Sequence, residues 1–290
     1  MENRLRPWLE THLGLKAPRV VPIEEGWDSS VFEVDGEWIV RVPRRPEVRD
    51  WMRVEAALLP ALADALPVPI PQFAGVEDTA RDFFVAYRKL EGEALSAEAC
   101  RGSSGPPLAA QLAGFLADLH AFPRERATAA GLPDVGLGEW IVQQERFVVR
   151  CVDVVAPLLA GADRTRAARM FEDILSGLDT LGETVLIHAD LGPDHLLHRG
   201  PSLTGVIDWS DARFGDPALD FAWLLHGTGK PFAEALLHAY GGRPDDALPS
   251  RALSYHRLGP WHEVLYGLEN ERPELVASGL AGVRLRLPPA

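Results

Sequence analysis

Two short apolar runs in the C-terminal half of the chain each lead to a carboxylate. Residues 185–187 precede Asp190 in the segment HADLGPDHLL, and residues 205–207 precede Asp208 in GVIDW. A hairpin that returns the chain would bring the two carboxylates together, with His195 between them. One carboxylate beside a divalent cation and a second one free to accept a proton is what phosphoryl transfer to a hydroxyl requires.

The same residues permit a different interpretation. Single aspartates at strand ends are usually caps or turn formers, but the H-x-D-x₄-H spacing followed by I-D-W is harder to explain in that way. A metal-dependent hydrolase is one alternative, in which a single ion is ligated by His188, Asp190, His195 and Asp208. That hypothesis uses the histidines well, but it gives no purpose to the strand-rich N-terminal part of the chain.

The elements that must position these residues differ along the chain. Apolar and polar residues alternate on both sides of Gly26 and of Asp35-Gly36, which predicts three antiparallel strands. Helical spacing over residues 47–66 then predicts a helix, and two more strands follow over 71–92. From Leu95 onward the pattern is mainly helical. The sequence therefore predicts an α+β protein.

The segment HADLGPDHLL…GVIDWSDARFGDPALDFA resembles the catalytic segment of the aminoglycoside phosphotransferases, and most closely the branch that includes the macrolide phosphotransferases. The resemblance covers nearly the whole chain. It implies a bilobal protein-kinase-like fold, with a small antiparallel-sheet N-lobe over residues 1–90 and a larger, mainly helical C-lobe over 91–290. Nucleotide is expected between the lobes.

The resemblance also implies roles for individual residues of the C-lobe. Asp190 corresponds to the catalytic base, and Asp208 to the aspartate that binds Mg²⁺. His195 stands where protein kinases usually have a metal-binding asparagine, although imidazole is softer than the oxygen donors that Mg²⁺ prefers. Asp216 and Asp220 are expected to support the loop and to cap the helix that follows.

In the N-lobe, the resemblance implies a nucleotide-binding set. The segment EGWDSS stands at the position of the phosphate-covering loop, where backbone N–H groups near Gly26 and the hydroxyls of Ser29 and Ser30 would reach the β- and γ-phosphates. Arg41 occupies the inward position of the third strand, where the commonest residue of the family is lysine. Glu55 on the next helix would hold this cation in place.

The chain is expected to cross between the lobes near Phe83 to Gly92. Backbone groups of Ala86, Tyr87 and Arg88 would meet the purine base of ATP or GTP. The acceptor would bind in the C-lobe near the terminal helices, at a group of acidic and aromatic residues: Asp190, Asp211, Glu263, Tyr266 and Glu269.

Composition limits the partners. The formal net charge is −13 and no basic block is present, which argues against nucleic acid and suits a cationic small molecule. Cys100 and Cys151 are too few for a disulfide framework. The N-terminus has no secretory pattern and no run approaches about 18 apolar residues. We therefore expect a cytoplasmic monomer that does not bind membranes.

The sequence predicts a small-molecule kinase that transfers the γ-phosphate of ATP or GTP to a hydroxyl of an aminoglycoside- or macrolide-like antibiotic, with Mg²⁺ and with Asp190 as the base. Three alternatives stay open at this point. They are a kinase of a metabolite alcohol (of the choline, homoserine or amino-sugar type), the hydrolase described above, and an inactive nucleotide-binding module. The last is motivated by the absence of a lysine on the third strand, since the only lysines are Lys16, Lys89 and Lys230.

Overall fold

The N-terminal part of the chain is a five-stranded antiparallel sheet with one helix on each face. The structure, a computed structural model, describes residues 2–25, 28–241 and 245–289. The strands follow one another in the sheet in the order β1-β2-β3-β5-β4. The elements of this part are α1 (Glu2–His12), β1 (Val20–Glu25), β2 (Ser29–Val34), β3 (Trp38–Pro43), α2 (Pro46–Ala63), β4 (Phe73–Asp78) and β5 (Phe83–Arg88).

This order confirms the predicted succession of three strands, a helix and two strands. The hairpin between β2 and β3 turns at Asp35 and Gly36, which have φ values of +53° and +74°. Two consecutive positive φ values are those of a type I′ turn, whose twist matches that of the flanking strands. The Asp-Gly pair therefore fixes the register in which Val31 lies opposite Arg41.

The two helices bury opposite faces of the sheet. On one face, Trp8 of α1 packs in a cluster with Val40 and Phe84, among other apolar side chains. On the other face, Met52 of α2 packs with Val85. Because side chains alternate along a strand, Arg41 points to the α2 face, which is also the face toward the rest of the molecule.

The C-terminal part is mainly helical and contains two small sheets. Its helices and strands are β6 (Glu93–Ala94), α3 (Ala97–Arg101), α4 (Gly105–His120), α5 (Arg124–Ala129), α6 (Leu137–Arg150), α7 (Gly161–Leu178), β7 (Val185–Ile187), β8 (Leu196–Arg199), β9 (Ser202–Val206), β10 (Arg213–Gly215), α8 (Ala222–His226), α9 (Lys230–Ala239), α10 (Leu248–Glu269) and α11 (Pro273–Arg286). Single π- and 3₁₀-turns join some of these elements. Of the helices in the described part of the chain, none is long and apolar enough to cross a membrane.

The strands near Asp190 and Asp208 do not all pair as the sequence suggested. β8 and β9 form the expected hairpin, with Leu196 opposite Val206. β7, which leads to Asp190, pairs instead with β10. The β8–β9 hairpin alone therefore returns the chain, and it brings Asp208 back beside the loop that begins after β7.

Candidate active site

The backbone is strained at two positions of this site, one at the start of the loop that follows β7 and one just after β9. Ala189, just before Asp190, has a φ of +69°, and Asp208 itself has a φ of +62°. Left-handed conformations cost non-glycine residues about 1–3 kcal/mol each and persist only where surrounding contacts hold them. The contacts that hold these two residues are therefore part of the site.

His188 links the two strained positions. Its ring is buried, and Nε2 donates to the carbonyl of Ile207 at 3.0 Å. Nδ1 accepts from the backbone N–H of Asp190 at 3.4 Å. Burial lowers the pKa of His188, which agrees with a neutral ring that donates at one nitrogen and accepts at the other. The ring also packs edge-on against Trp209, which is a buried core residue.

Asp220 holds the start of the loop that follows β7 through hydrogen bonds to the backbone. Its buried carboxylate accepts hydrogen bonds from the backbone N–H groups of His188 at 3.0 Å and of Ala189 at 2.8 Å. His120 lies 3.2 Å from the same carboxylate and contacts the hydroxyl of Tyr240 through its other nitrogen. The predicted supporting role of Asp220 is confirmed, whereas no sequence pattern indicated a role for His120.

Asp216 supports the neighbouring segment. Its carboxylate accepts from the N–H of Ala218, so it caps the short turn that follows, as predicted. Arg251 of α10 donates to it with two nitrogens, and the hydroxyl of Tyr255 donates as well. Asp216 therefore ties the loop to the longest helix of the molecule.

His195 lies between the two carboxylates, as predicted. Its Nδ1 is 2.6 Å from the backbone oxygen of Asp190 and 3.4 Å from the Oδ2 of that residue. Its Nε2 is 3.8 Å from Oδ2 of Asp208. A carbonyl oxygen can only accept, so Nδ1 carries the hydrogen, and in the neutral ring Nε2 offers a lone pair on the side of Asp208.

The ionisation states of Asp190, His195 and Asp208 depend on one another. Limited hydration raises the pKa of Asp190, whose side chain is nevertheless 57% exposed, and the nearby carboxylate of Asp211 adds to this effect. Burial acts against ionisation of Asp208 too, but Arg41 outweighs it and lowers the pKa of Asp208. Burial opposes protonation of His195, while the two carboxylates raise its pKa above 6.5.

Arg41 and Glu55 form the predicted ion pair, and it is buried. Arg41 is 4% exposed and Glu55 is 2% exposed, and their closest nitrogen and oxygen are 2.7 Å apart. The second terminal nitrogen of Arg41 donates to Oδ1 of Asp208 at 2.9 Å and to the hydroxyl of Ser210 at 2.5 Å. Burial acts against the charge, yet the carboxylates raise the pKa of Arg41. No sequence pattern indicated this contact of Ser210.

The serines proposed for phosphate contact lie on different faces of β2. Ser29 is opposite Pro43 and Ser30 is opposite Val42 in the register with β3. Ser29 therefore shares the face of Arg41, and Ser30 shares the α1 face with Val42. The expectation that both hydroxyls reach the phosphates holds at most for one of them. Gly26 lies outside the described residues.

The residues proposed to meet the base belong to a central strand. Ala86 and Tyr87 pair with β3 on one side and with β4 on the other, and Arg88 pairs with Trp38. Ala86 and Tyr87 thus have strand partners on both sides, whereas the pairing with β4 ends at Tyr87, and the expectation that these backbone groups meet the base stays a prediction. The crossing between the two parts of the chain comes afterwards, over residues 89–92.

Gly92 ends that crossing in a conformation that requires glycine. Its φ is +129°, and a Cβ atom there would lie 2.4 Å from the hydroxyl oxygen of Thr204. Lys89 begins the crossing, and its N–H donates to the carbonyl of Glu37 at 2.8 Å. The crossing segment thus lies against both the N-terminal sheet and the β8–β9 hairpin.

The residues proposed to bind an acceptor are only partly brought together. Tyr266 lies on the side of α10 that faces the N-terminal sheet, because the guanidinium of Arg45 is 6.0 Å from its ring centroid. Glu263 instead accepts from Ser278 of α11. Glu269 forms an ion pair with Arg150 of α6.

Asp211 stays near the catalytic loop. Its carboxylate raises the pKa of Asp190, and it forms an ion pair with Arg213 at 2.7 Å. Of the acidic residues suggested for acceptor binding, Asp190 and Asp211 share one region. Glu263 and Glu269 have other partners.

The geometry does not support the hydrolase hypothesis. In the described part of the chain, no three histidine, cysteine, aspartate or glutamate side chains converge to hold a metal ion. Both ring nitrogens of His188 are already used by Ile207 and Asp190. His188 therefore cannot be one of four ligands to a single ion.

The chain is similar to known proteins along nearly its whole length. Over 295 residues the chain is 26% identical to viomycin phosphotransferase from Streptomyces vinaceus, which covers 95% of this chain and 99% of the relative. The GDP and kanamycin complex of APH(2")-IIIa has a TM-score of 0.86 at 28% identity, with 98% of each chain covered. The macrolide 2'-phosphotransferase MphH from Brachybacterium faecium, as apoenzyme, has a TM-score of 0.74 at 27% identity, with 99% of this chain and 98% of that chain covered.

These similarities confirm the predicted α+β bilobal protein-kinase-like fold and the predicted enzyme class, a phosphotransferase with an alcohol group as acceptor. They do not favour the open alternatives. Residues 19–253 match the phosphotransferase enzyme family. The chain therefore belongs to that family.

Proposed function

We propose that this chain is an antibiotic kinase, which transfers the γ-phosphate of ATP or GTP to a hydroxyl of an amine-bearing antibiotic. The observation that carries the proposal is the arrangement of Asp190, His195 and Asp208 beside the buried pair of Arg41 and Glu55. The kanamycin complex of a similar protein and the similarity to a viomycin phosphotransferase support the acceptor class.

Asp190 acts as the base. Its carboxylate is the more exposed of the two, at 57% against 44% for Asp208, and the backbone at and just before Asp190 is held by His188 and Asp220. The carboxylate is therefore free to accept a proton from an acceptor hydroxyl, which is then oriented toward the phosphorus. General-base catalysis of this kind contributes about 10²- to 10⁴-fold to a rate.

Asp208 and His195 would hold Mg²⁺. Oδ1 of Asp208 accepts a hydrogen bond from Arg41, whereas Oδ2 faces Nε2 of His195 at 3.8 Å. Among the described residues, neither of these last two atoms takes part in a hydrogen bond. A carboxylate oxygen and an imidazole lone pair on the same side fit a divalent cation. When bound, Mg²⁺ supplies charge neutralisation to the β- and γ-phosphates.

Arg41 and Glu55 would position the α- and β-phosphates. A guanidinium presents several donors and keeps its charge at any physiological pH, so it can replace the lysine that is commonest at this position. Ser29, on the same face of the sheet, would supply a hydroxyl donor. We propose that the crossing segment 89–92, which directly follows strand β5, contacts the purine base.

The acceptor would lie on the C-terminal side of the cleft, near Asp190, Asp211 and Tyr266. Carboxylates at this place favour a ligand that carries protonated amines. The ring of Tyr266 adds a face on which a cation or a sugar can pack.

The test is an acceptor screen with purified protein. Kanamycin, viomycin and a macrolide are each incubated with ATP or GTP, release of nucleoside diphosphate is followed, and the product is examined by phosphorus NMR. We expect at least one acceptor to yield a phosphate monoester. Nucleotide hydrolysis without any phosphorylated acceptor, or no turnover with any acceptor, would contradict the proposal.

A further inference from the structure

Arg45 contacts both sides of the cleft. Its guanidinium forms an ion pair with the carboxylate of Asp28, the residue just before β2. The same guanidinium is 6.0 Å from the centroid of the Tyr266 ring on α10. Distances up to about 6 Å are those of cation–π interactions. One side chain therefore joins the N-terminal sheet to the C-terminal helices.

Arg45 also connects this contact to helix α2. It precedes α2, the helix that carries Glu55, and its extended backbone is the N-cap of that helix. The N–H of its neighbour Arg44 donates to the carbonyl of Asp28 at 2.9 Å, so Asp28 is held through its backbone as well as its carboxylate. A displacement of Tyr266 would therefore be transmitted through Arg45 to Asp28 and to the start of α2.

Asp28 lies close to the reacting region. Burial raises its pKa, and the carboxylates of Asp208 and Asp211 act in the same direction, whereas Arg45 opposes them. Arg45 therefore holds a carboxylate that its acidic neighbours would repel. Without Arg45, the Asp28 carboxylate would lose the ion pair that joins the start of β2 to the start of α2.

We propose that Arg45 is a positioning residue that connects Asp28, at the phosphate-covering segment, with Tyr266, at the acceptor side, and so couples nucleotide affinity to helix α10. The inference rests on the proposed function, because it needs nucleotide at this cleft. It adds a residue and a link that the catalytic groups themselves do not provide.

The distinguishing measurement is the dissociation constant of ATP and of GTP without any acceptor. A tyrosine that only touched the acceptor would not change it. We expect Tyr266→Leu and Arg45→Ala each to weaken nucleotide binding about two- to fivefold, the strength of an exposed cation–π contact. The double variant should bind nucleotide as tightly as whichever single variant binds it less tightly, because both substitutions remove the same link.

Matched variants separate this link from general damage. Tyr266→Phe keeps the ring, so its nucleotide affinity should fall less than that of Tyr266→Leu. Arg126→Ala removes another arginine that lies over an aromatic ring, that of Phe122 at 4.9 Å, and should have no effect. An unchanged nucleotide affinity in Tyr266→Leu, or additive losses in the double variant, would overturn the inference alone. Failure of the unchanged protein to bind either nucleotide would overturn the proposed function as well.

Discussion

Arg41 makes contacts that a lysine cannot reproduce. One terminal nitrogen donates to Glu55 while the other donates to Asp208 and Ser210. A lysine has a single compact ammonium group, so it would have to share one nitrogen among partners on two elements. The arginine thus fixes the orientation of Asp208 directly from the N-terminal sheet.

Arg41→Lys should therefore weaken nucleotide binding although the charge is kept. We expect the dissociation constant of ATP and GTP to rise about tenfold, since a charge-assisted hydrogen bond contributes about 1.5–3 kcal/mol. Arg41→Ala should bind still more weakly. It should also lower the free energy of unfolding by about 3–5 kcal/mol, because Glu55 would be left buried and unpaired.

Titration of nucleotide and thermal unfolding of both variants check this prediction. A lysine variant that binds nucleotide as tightly as the unchanged protein would mean that the second nitrogen of Arg41 is dispensable.

Single residues were predictable where a strand or loop signal marked them. The pair of Arg41 and Glu55 followed from strand alternation and the resemblance, and the trio around His195 followed from spacing along one segment. The role of Ser210 could not be seen, because its partners Glu55 and Arg41 are 155 and 169 residues away in sequence. Contacts of that kind depend on how the elements pack.

At the scale of elements, the close crossing of α10 and α11 depends on a missing side chain. A Cβ atom at Gly279 would lie 2.7 Å from Cγ2 of Val264 and 2.9 Å from its backbone nitrogen. Because one of these atoms is backbone, the neighbour cannot move away by a change of rotamer. Gly279 therefore sets the distance between the helix that carries Tyr266 and the last helix.

Gly279→Ala should destabilise the protein even though alanine is the better helix former. Overpacking costs about 1–3 kcal/mol, more than the roughly 1 kcal/mol that alanine gains in helix propensity. Gly114→Ala on α4 is the matched control, since a Cβ atom there meets nothing within 4 Å. We expect a lower melting temperature for the first variant and an equal or higher one for the second. Equal melting temperatures for both would contradict the account of this crossing.

The elements themselves were largely predictable, whereas some partners were not. Alternation and the Asp-Gly turn gave the strands of the N-terminal sheet and their antiparallel sense. The three-residue strand β7 carries no signal that selects a partner, and it pairs with β10 rather than within the hairpin. The register also separates Ser29 from Ser30, because a one-residue step reverses the face of a strand.

At the scale of the whole molecule, the net charge of −13 bears on the acceptor. An acidic protein attracts cationic ligands over distances that salt shortens, with a Debye length of about 10 Å at 0.1 M. The effect depends on the charge of the acceptor, not on the chemistry of transfer.

The ratio kcat/KM for kanamycin, a polyamine, should therefore fall about tenfold between low and high salt, mainly through KM. The ratio for a macrolide with one amino sugar should change much less. Steady-state rates at several ionic strengths, with kcat at saturating acceptor as the internal control, check this. Equal salt dependence for both acceptors would exclude a contribution of the overall charge.

The central claim is that Asp190 accepts the proton of the acceptor hydroxyl, and Asp190→Asn tests it most directly. The amide keeps the shape of the side chain but cannot act as a base. We expect kcat to fall about 10²- to 10⁴-fold, while the dissociation constant of nucleotide stays within about twofold. Asp194→Asn, the same change at an exposed residue of the same loop, should keep kcat within about twofold. Near-normal turnover by Asp190→Asn would contradict the assignment of Asp190 as the base.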